Sequence, residues 1–150
     1  MIRSKRLQPV QRLANQAAER QAMVLQKAQQ VAVIAQDKLD QLSEYRLDYL
    51  ARLRQREQGA IDLRHLQEGR VFLTKLTEAI AIQAQEVSRA NQQVSNQRQQ
   101  LISLQQKCQS FDGLVDRYQV MERHEADRLD QLRADDLASQ QFVWRQRQPV

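Results

Sequence analysis

The sequence predicts an all-α fold, an antiparallel two-helix coiled-coil hairpin with a longer C-terminal helix. Three observations predict it. First, 150 residues carry only three glycines, two prolines and 5% aromatic side chains, too little punctuation for strands and tight turns. Second, 28 glutamines accompany abundant Ala, Leu, Arg and Glu, a composition that favours long helices with polar outer faces. Third, apolar residues recur every three or four positions for dozens of residues, except across "RQREQGAIDLRHLQEGR", residues 54–70. The mean hydropathy of −0.72 alone would fit disorder, but the 41% apolar fraction is regularly spaced. A thick globular core is not expected.

The first seam runs Val10, Ala14, Ala17, Gln21, Val24, Ala28, Val31, Ala35, Lys38, Leu42, Tyr45, Tyr49, Arg52. Ten of these 13 positions are apolar or aromatic, against 41% for the chain as a whole, which predicts helix one over about 5–55. Pro9 marks its start, since a first helical turn tolerates the missing N–H.

The second seam restarts at Leu66 and runs through Leu73, Leu76, Ile80, Val87, Leu101, Leu104, Phe111, Val115 and Tyr118 to Glu122, Glu125, Leu129 and Leu132. Counting the positions between, 15 of 20 are apolar. Continuing the first seam through the break would instead bury Arg70, Asn91, Arg98, Gln105 and Asp112, so the seams belong to different helices. Arg52 and Arg56 end the first stripe, and Gly59 provides a backbone that tolerates left-handed geometry. The chain is one domain, with a tip at about 56–65, helix two at about 66–142 and a flexible tail at 143–150.

A short connection joins antiparallel neighbours. Pairing around Gly59 gives partners whose numbers sum to about 121, so Tyr45 meets Leu76, Val31 meets Ala90 and Leu42 meets Ile80. Helix one then runs out near Val115 to Tyr118, leaving helix two to overhang by some 24 residues, or about 36 Å. A lone amphipathic helix gains little unless it folds back or binds another protein.

Enzyme chemistry is not expected. His65 and His124 lack the neighbours of a zinc site such as HExxH, Gly59, Gly69 and Gly113 make no phosphate loop, and Asp135 with Asp136 sits on an exposed helix. No catalytic residue, metal or cofactor is therefore assigned. Cys108 falls on the seam beside Leu104 and Phe111 as a small hydrophobe, and a lone cysteine excludes an internal disulfide, consistent with a cytoplasmic protein. Nothing approaches a membrane span, and the amino terminus lacks a secretory pattern. The net charge of +5 is spread among mixed charges rather than gathered on one basic helix face, which argues against nucleic acid.

Particular words in the hairpin resemble the FliJ family of flagellar type III export proteins along nearly the whole chain. They are "SKRLQPVQRLANQAAERQA", "LDQLSEYRLDYLARL", "GRVFLTKLTEAIAIQAQEV" and "GLVDRYQVMERHEADRLDQLRADDLAS", in that order. Tyr45-Arg46, Tyr49, Gly59, Phe72-Leu73, Leu76, Ala79-Ile80 and Gln83 stand at the family's spacing. The resemblance implies a cytoplasmic stalk, peripheral to the inner membrane at the flagellar base and similar to the central γ stalk of rotary ATPases. Such a stalk inserts into the ring of the flagellar export ATPase (FliI type), promotes its assembly, links it to the cytoplasmic domain of the export gate protein FlhA, and handles export chaperones.

The resemblance also implies an export-gate surface at Leu42, Tyr45, Tyr49, Phe72, Leu76 and Ala79. Leu42 and Leu76 fit equally well as seam filling. The aromatics Tyr45, Tyr49 and Phe72 are bulky for a two-stranded seam and should spill toward solvent. Lys38 and Gln83 depart from the family pattern. Candidate ATPase-ring contacts, on charge, are Arg3, Lys5, Arg6, Arg12, Arg117, Arg123 and Arg128. Phe142, Val143 and Trp144 offer either a partner anchor or a frayed tail. The rival readings are the equivalent stalk of a virulence-type injectisome, a periplasmic-type holdase and a homodimeric coiled-coil scaffold.

Overall fold

In the computed structural model, residues 2–59 and 62–147 are described. They form two long helices packed together, α1 (Arg3–Glu57, 55 residues) and α2 (Leu63–Arg147, 85 residues), with no strand among the described residues.

The helix ends follow local chemistry. Asp62 caps α2: its Oδ1 accepts from the Arg64 N–H at 3.2 Å and its carbonyl from the Leu66 N–H at 3.3 Å. This cap starts α2 at Leu63, three residues before the expected Leu66. At the other end α2 is helical through Arg147, so the tail expected from residue 143 is helix over 143–147. At its end α1 tightens, Gln58 and Gly59 donating to the carbonyls of Gln55 and Arg56 at 3.3 Å, with Arg54 and Arg56 beside the negative end of the helix dipole. Gly59 does not adopt the left-handed backbone expected of it, since no described glycine has positive φ. Ala60 and Ile61 of the expected tip, and residues 148–150 of the expected tail, lie outside the described residues.

Pro9 is not at the start of α1. The helix begins at Arg3, so the proline sits inside it and deprives the Lys5 carbonyl of its usual partner. Helical structure ahead of Pro9 is held by packing on α2, where Ser4 is buried and Leu7 half-buried.

Contacts divide the chain into two compact units, Glu19–Ser103 and Met1–Ala18 with Leu104–Val150. In the first unit Ala32, Leu53, Leu76 and Val87 are buried. Seam glutamines bond across it: Gln21 Nε2 donates to the Gln97 carbonyl at 3.0 Å and to Gln97 Oε1 at 2.7 Å, and Gln83 Nε2 donates to the Ala35 carbonyl at 2.9 Å. An amide buried without such partners would cost about 1–3 kcal/mol. Arg46 Nε donates to Thr77 Oγ1 at 3.1 Å, and Arg70 pairs with Glu57 at 3.7 Å. Residue numbers rise along α1 as they fall along α2. In the second unit Val115 and Ser4 are buried, and Gln11 bonds to Asp112.

On α2 the expected seam is the packed face from Leu66 to Glu122. On α1 half of the expected seam is displaced by one residue. Ala14, Gln21, Ala28, Ala35, Leu42 and Tyr49 face α2, but the inner partners are Leu25, Ala32, Leu39, Arg46 and Leu53. Val10, Val24, Val31, Lys38, Tyr45 and Arg52 stay exposed beside the seam. Leu39 and Leu53 pack where Lys38 and Arg52 would have brought charges inward.

Gly69 is buried against α1: a Cβ built on it would lie 2.7 Å from Leu53 Cδ1 and 3.3 Å from the Tyr49 hydroxyl. Gly113 has nothing within 4 Å of that position. Gly113→Ala should therefore stabilise the protein by up to about 1 kcal/mol, the difference in helix propensity. Gly69→Ala should gain clearly less, because Leu53 must move. Urea denaturation of both variants checks the order, and an equal gain at both sites would contradict this packing.

Candidate functional site

The unit Glu19–Ser103 gathers three aromatic rings from both helices. Tyr45 and Tyr49 stand one turn apart on α1 with centroids 6.5 Å apart and planes at 28°. Phe72 comes from α2, edge-on to Tyr45 at 6.2 Å and 77°, and tilted against Tyr49 at 4.8 Å and 52°. Such offset and edge arrangements suit the ring quadrupoles. Tyr45 keeps 51% of its surface exposed and Phe72 39%, whereas Tyr49 is half-buried with its hydroxyl toward Gly69.

The other members of the expected gate surface divide differently. Leu76 is buried at 8% exposure, and Leu42 and Ala79 are half-buried. All six side chains belong to one unit, but Leu76 is a packing residue, and the surface available to a partner is chiefly Tyr45 and Phe72. Tyr45 lies outside the seam for the reason given above: its column is displaced outward by one residue. Gln83 is occupied with the Ala35 carbonyl.

The second unit carries the other expected surface. Arg3, Lys5, Arg6, Arg12, Arg117, Arg123 and Arg128 are all exposed. Three of them have internal partners. The Arg3 guanidinium lies 5.8 Å from the Tyr118 ring centroid, Arg117 Nε donates to the Gly113 carbonyl at 3.4 Å, and Arg128 pairs with Glu125 at 3.0 Å. Every residue from Arg123 to Arg147 is exposed, including Leu129, Leu132, Leu137, Phe142, Val143 and Trp144. A groove of about 730 Å³, lined by Ile2, Arg3, Tyr118, Met121, Glu122, Glu125, Ala126 and Leu129, opens at the start of α1.

Glu122 is the residue that sequence reasoning missed. It looks like a polar interruption of the seam, yet its Oε1 accepts from the Ser4 N–H at 3.1 Å and its Oε2 from the Ser4 hydroxyl at 2.7 Å. The first turn of α1 contains no acidic residue of its own, so Glu122 supplies both an acceptor and a negative charge to its positive end. Removal from water raises the carboxyl pKa, but the hydrogen bonds from the Ser4 hydroxyl, the Ser4 N–H and the Arg3 N–H outweigh this and hold it below its ordinary value. No local pattern links residues 118 positions apart.

Among the described residues no group of three His, Cys, Asp or Glu side chains is placed to hold a metal. His65 Nδ1 lies 3.7 Å from Glu68, one turn on, with both side chains exposed, and Cys108 is half-buried in the seam. No described helix is long and apolar enough to cross a membrane. The grooves lined by Val24 to Gln97 and by Ile2 to Leu129 are open to solvent.

Compared with known families, residues 4–147 match the family described as "Flagellar FliJ protein". The chain belongs to the FliJ family. Membership makes it a protein related to flagellar export, and the match covers α1 and α2 almost from end to end. Comparison with the curated proteins and with the solved structures gives no match.

A carboxylate held below its ordinary pKa contributes stability that is present above that ordinary value and lost as pH falls through the lowered one. The Ser4 amide resonance should therefore titrate below the range of a free glutamate, together with growing hydrogen exchange at residues 3–8. Glu122→Gln should abolish that titration in NMR spectra, and its survival in the variant would assign it to another group.

Proposed function

We propose that this chain is a non-enzymatic stalk of the flagellar type III export apparatus. In this reading α1 and α2 form an antiparallel coiled-coil hairpin with the longer second helix projecting. The projecting end enters the ring of the flagellar export ATPase and promotes its assembly and activity, and the Tyr45–Phe72 region meets the cytoplasmic domain of the export gate protein FlhA. Export chaperones are further partners, and the work is done in the cytoplasm, peripheral to the inner membrane.

Family membership over residues 4–147 is the observation that carries this reading. Two surfaces support its details. The run Arg123–Arg147 is exposed throughout, so it has apolar side chains to offer and no internal packing to lose. The Tyr45, Tyr49 and Phe72 cluster is an aromatic patch of the kind that dominates interface energetics, with Tyr45 and Phe72 left exposed.

ATP hydrolysis by the cognate export ATPase tests the ring assignment. The full chain should stimulate it, and a chain ending at Leu129, which keeps the Glu122–Ser4 bonds, should not. Equal stimulation by both would move the ring contact away from the projecting end.

The gate assignment separates by exposure. Tyr45→Asp and Phe72→Asp should weaken binding to the FlhA cytoplasmic domain at least tenfold while leaving helicity intact. Leu76→Ala should instead lower stability, by about 2–4 kcal/mol for a buried leucine. Calorimetric titration alongside thermal unfolding checks both, and unchanged affinity in the two aspartate variants would remove the patch from the gate interface.

A further inference from the structure

In the unit Glu19–Ser103 the outward displacement of one α1 column creates a second apolar stripe. Val24, Val31 and Tyr45 recur at seven-residue intervals with Lys38 between them; Val24 is 44% exposed and Val31 59%. Beside them a groove of about 370 Å³ runs between the helices, floored by Ala28, Ala35 and Ala90 and walled on the α2 side by Glu86, Arg89, Gln93 and Gln97. Ile34 and Ile82, 56% and 63% exposed, extend the apolar rims. The floor is made of alanines, which allow another backbone to approach closely.

Cations outnumber acids on this flank. Arg20, Lys27 and Lys38 stand along the α1 rim, and Lys75 and Arg89 along the α2 rim, all exposed. Glu86, the acid within the groove, is already bonded to Arg89 at 3.1 Å. Asp48 and Glu68 are the acids further along the same flank, near the ends of the helices, and Glu68 lies 3.6 Å from Arg64. The remaining acids of α1 in this stretch, Glu19, Asp37, Asp40 and Glu44, fall on its other faces by helical periodicity. The opposite flank of the seam offers Gln29, Gln36 and Ser43 with Ala84, Asn91 and Arg98, and no comparable stripe.

We infer that this groove receives a third helix from another protein, amphipathic and acidic along its edges, completing a three-helix layer. The seven-residue repeat selects a helix, because only a helix lying along the groove returns an apolar side chain to each of Val24, Val31 and Tyr45 in turn. The span from Val24 to Tyr45 is about 32 Å at 1.5 Å per residue, so the occupant needs about three heptads. Arg20, Lys27, Lys38 and Lys75, the rim cations outside the Arg89–Glu86 pair, select acidic edges, and two copies of this flank facing each other would bring like charges together. The groove's lining ends at Ala35; the exposed stripe continues past it to Tyr45 in the proposed gate patch, but the inference stands without that assignment.

The test uses the full chain and a designed helix of about four heptads, with leucine at the seam positions and glutamate flanking them, against the same helix with lysine flanking. Fluorescence anisotropy should show binding of the glutamate helix that weakens with salt, and at least tenfold weaker binding of the lysine helix. Val31→Glu should weaken binding at least tenfold, and Val33→Glu, an equally exposed valine on another face, should leave it unchanged. Absence of binding, equal binding of both helices, or equal effects of the two valine variants would overturn the inference. So would sedimentation showing that the chain pairs with itself through Val31. Because no flagellar component is present, failure here leaves the gate assignment untouched, and loss of gate binding with the designed helix still bound would overturn that assignment alone.

Discussion

Two helices can bury only one stripe each, and this constraint governs the rest of the structure. No large side chain among the described residues is fully buried, and the buried apolar side chains Ala32, Leu53, Leu76, Val87 and Val115 are set among a longer run of half-buried neighbours. With so little apolar area removed from water, stability is spread thinly along the seam rather than concentrated in a nucleus of large residues. Specificity must then come from directional contacts. Gln21 with Gln97, Gln83 with the Ala35 carbonyl and Ser4 with Glu122 serve this purpose, because sliding α1 against α2 by one residue would leave each of these groups without its partner.

The same constraint explains what the sequence made legible. Helix two was readable position by position from Leu66 to Glu122, because most of its leucines and valines fall in two columns and the apolar residues off them, such as Val71, Ile82 and Ile102, form no competing column. Helix one was readable as a helix but not in its register. It carries three apolar columns, and the valines at 10, 24 and 31 compete with the leucines at 25, 39 and 53. The charges separate the two columns only narrowly, since the valine column contains Lys38 and Arg52 and the leucine column contains Arg46. Of the candidate surface, the aromatic identities were legible, but Tyr45 is exposed because its column is displaced, Tyr49 is half-buried, and Leu76 could be assigned to packing only once the neighbouring helix was in place.

Boundaries and long-range bonds were less legible for distinct reasons. Asp62 ahead of Leu63 is an ordinary N-cap signal that competes with the later start of the apolar seam at Leu66. Pro9 was placed at a helix start because its intrinsic preference is for a first turn, whereas tertiary packing of Ser4 and Leu7 on α2 extends the helix past it. Glu122 gave no local sign of its role, since the helix end that it caps is distant in sequence. It also illustrates how a polar residue on an apolar seam is better read as a question about a missing partner than as a defect.

The exposed length of α2 beyond Glu122 differs from the rest in kind. From Arg123 onward its helical form rests on intrinsic propensity and on local pairs such as Arg128 with Glu125, each worth only a few tenths of a kcal/mol. A segment held so weakly opens locally at little cost, independently of the seam. A partner that packs against Leu129, Leu132 and Val143 therefore has to meet the cost of holding the helix as well as gain from burying it. Affinity gained this way is lower than the contact area alone would suggest, and it responds to any change that firms or loosens the free helix. Marginal stability in this segment is thus a property that binding can use, whereas the same looseness within the seam would cost the register on which both helices depend.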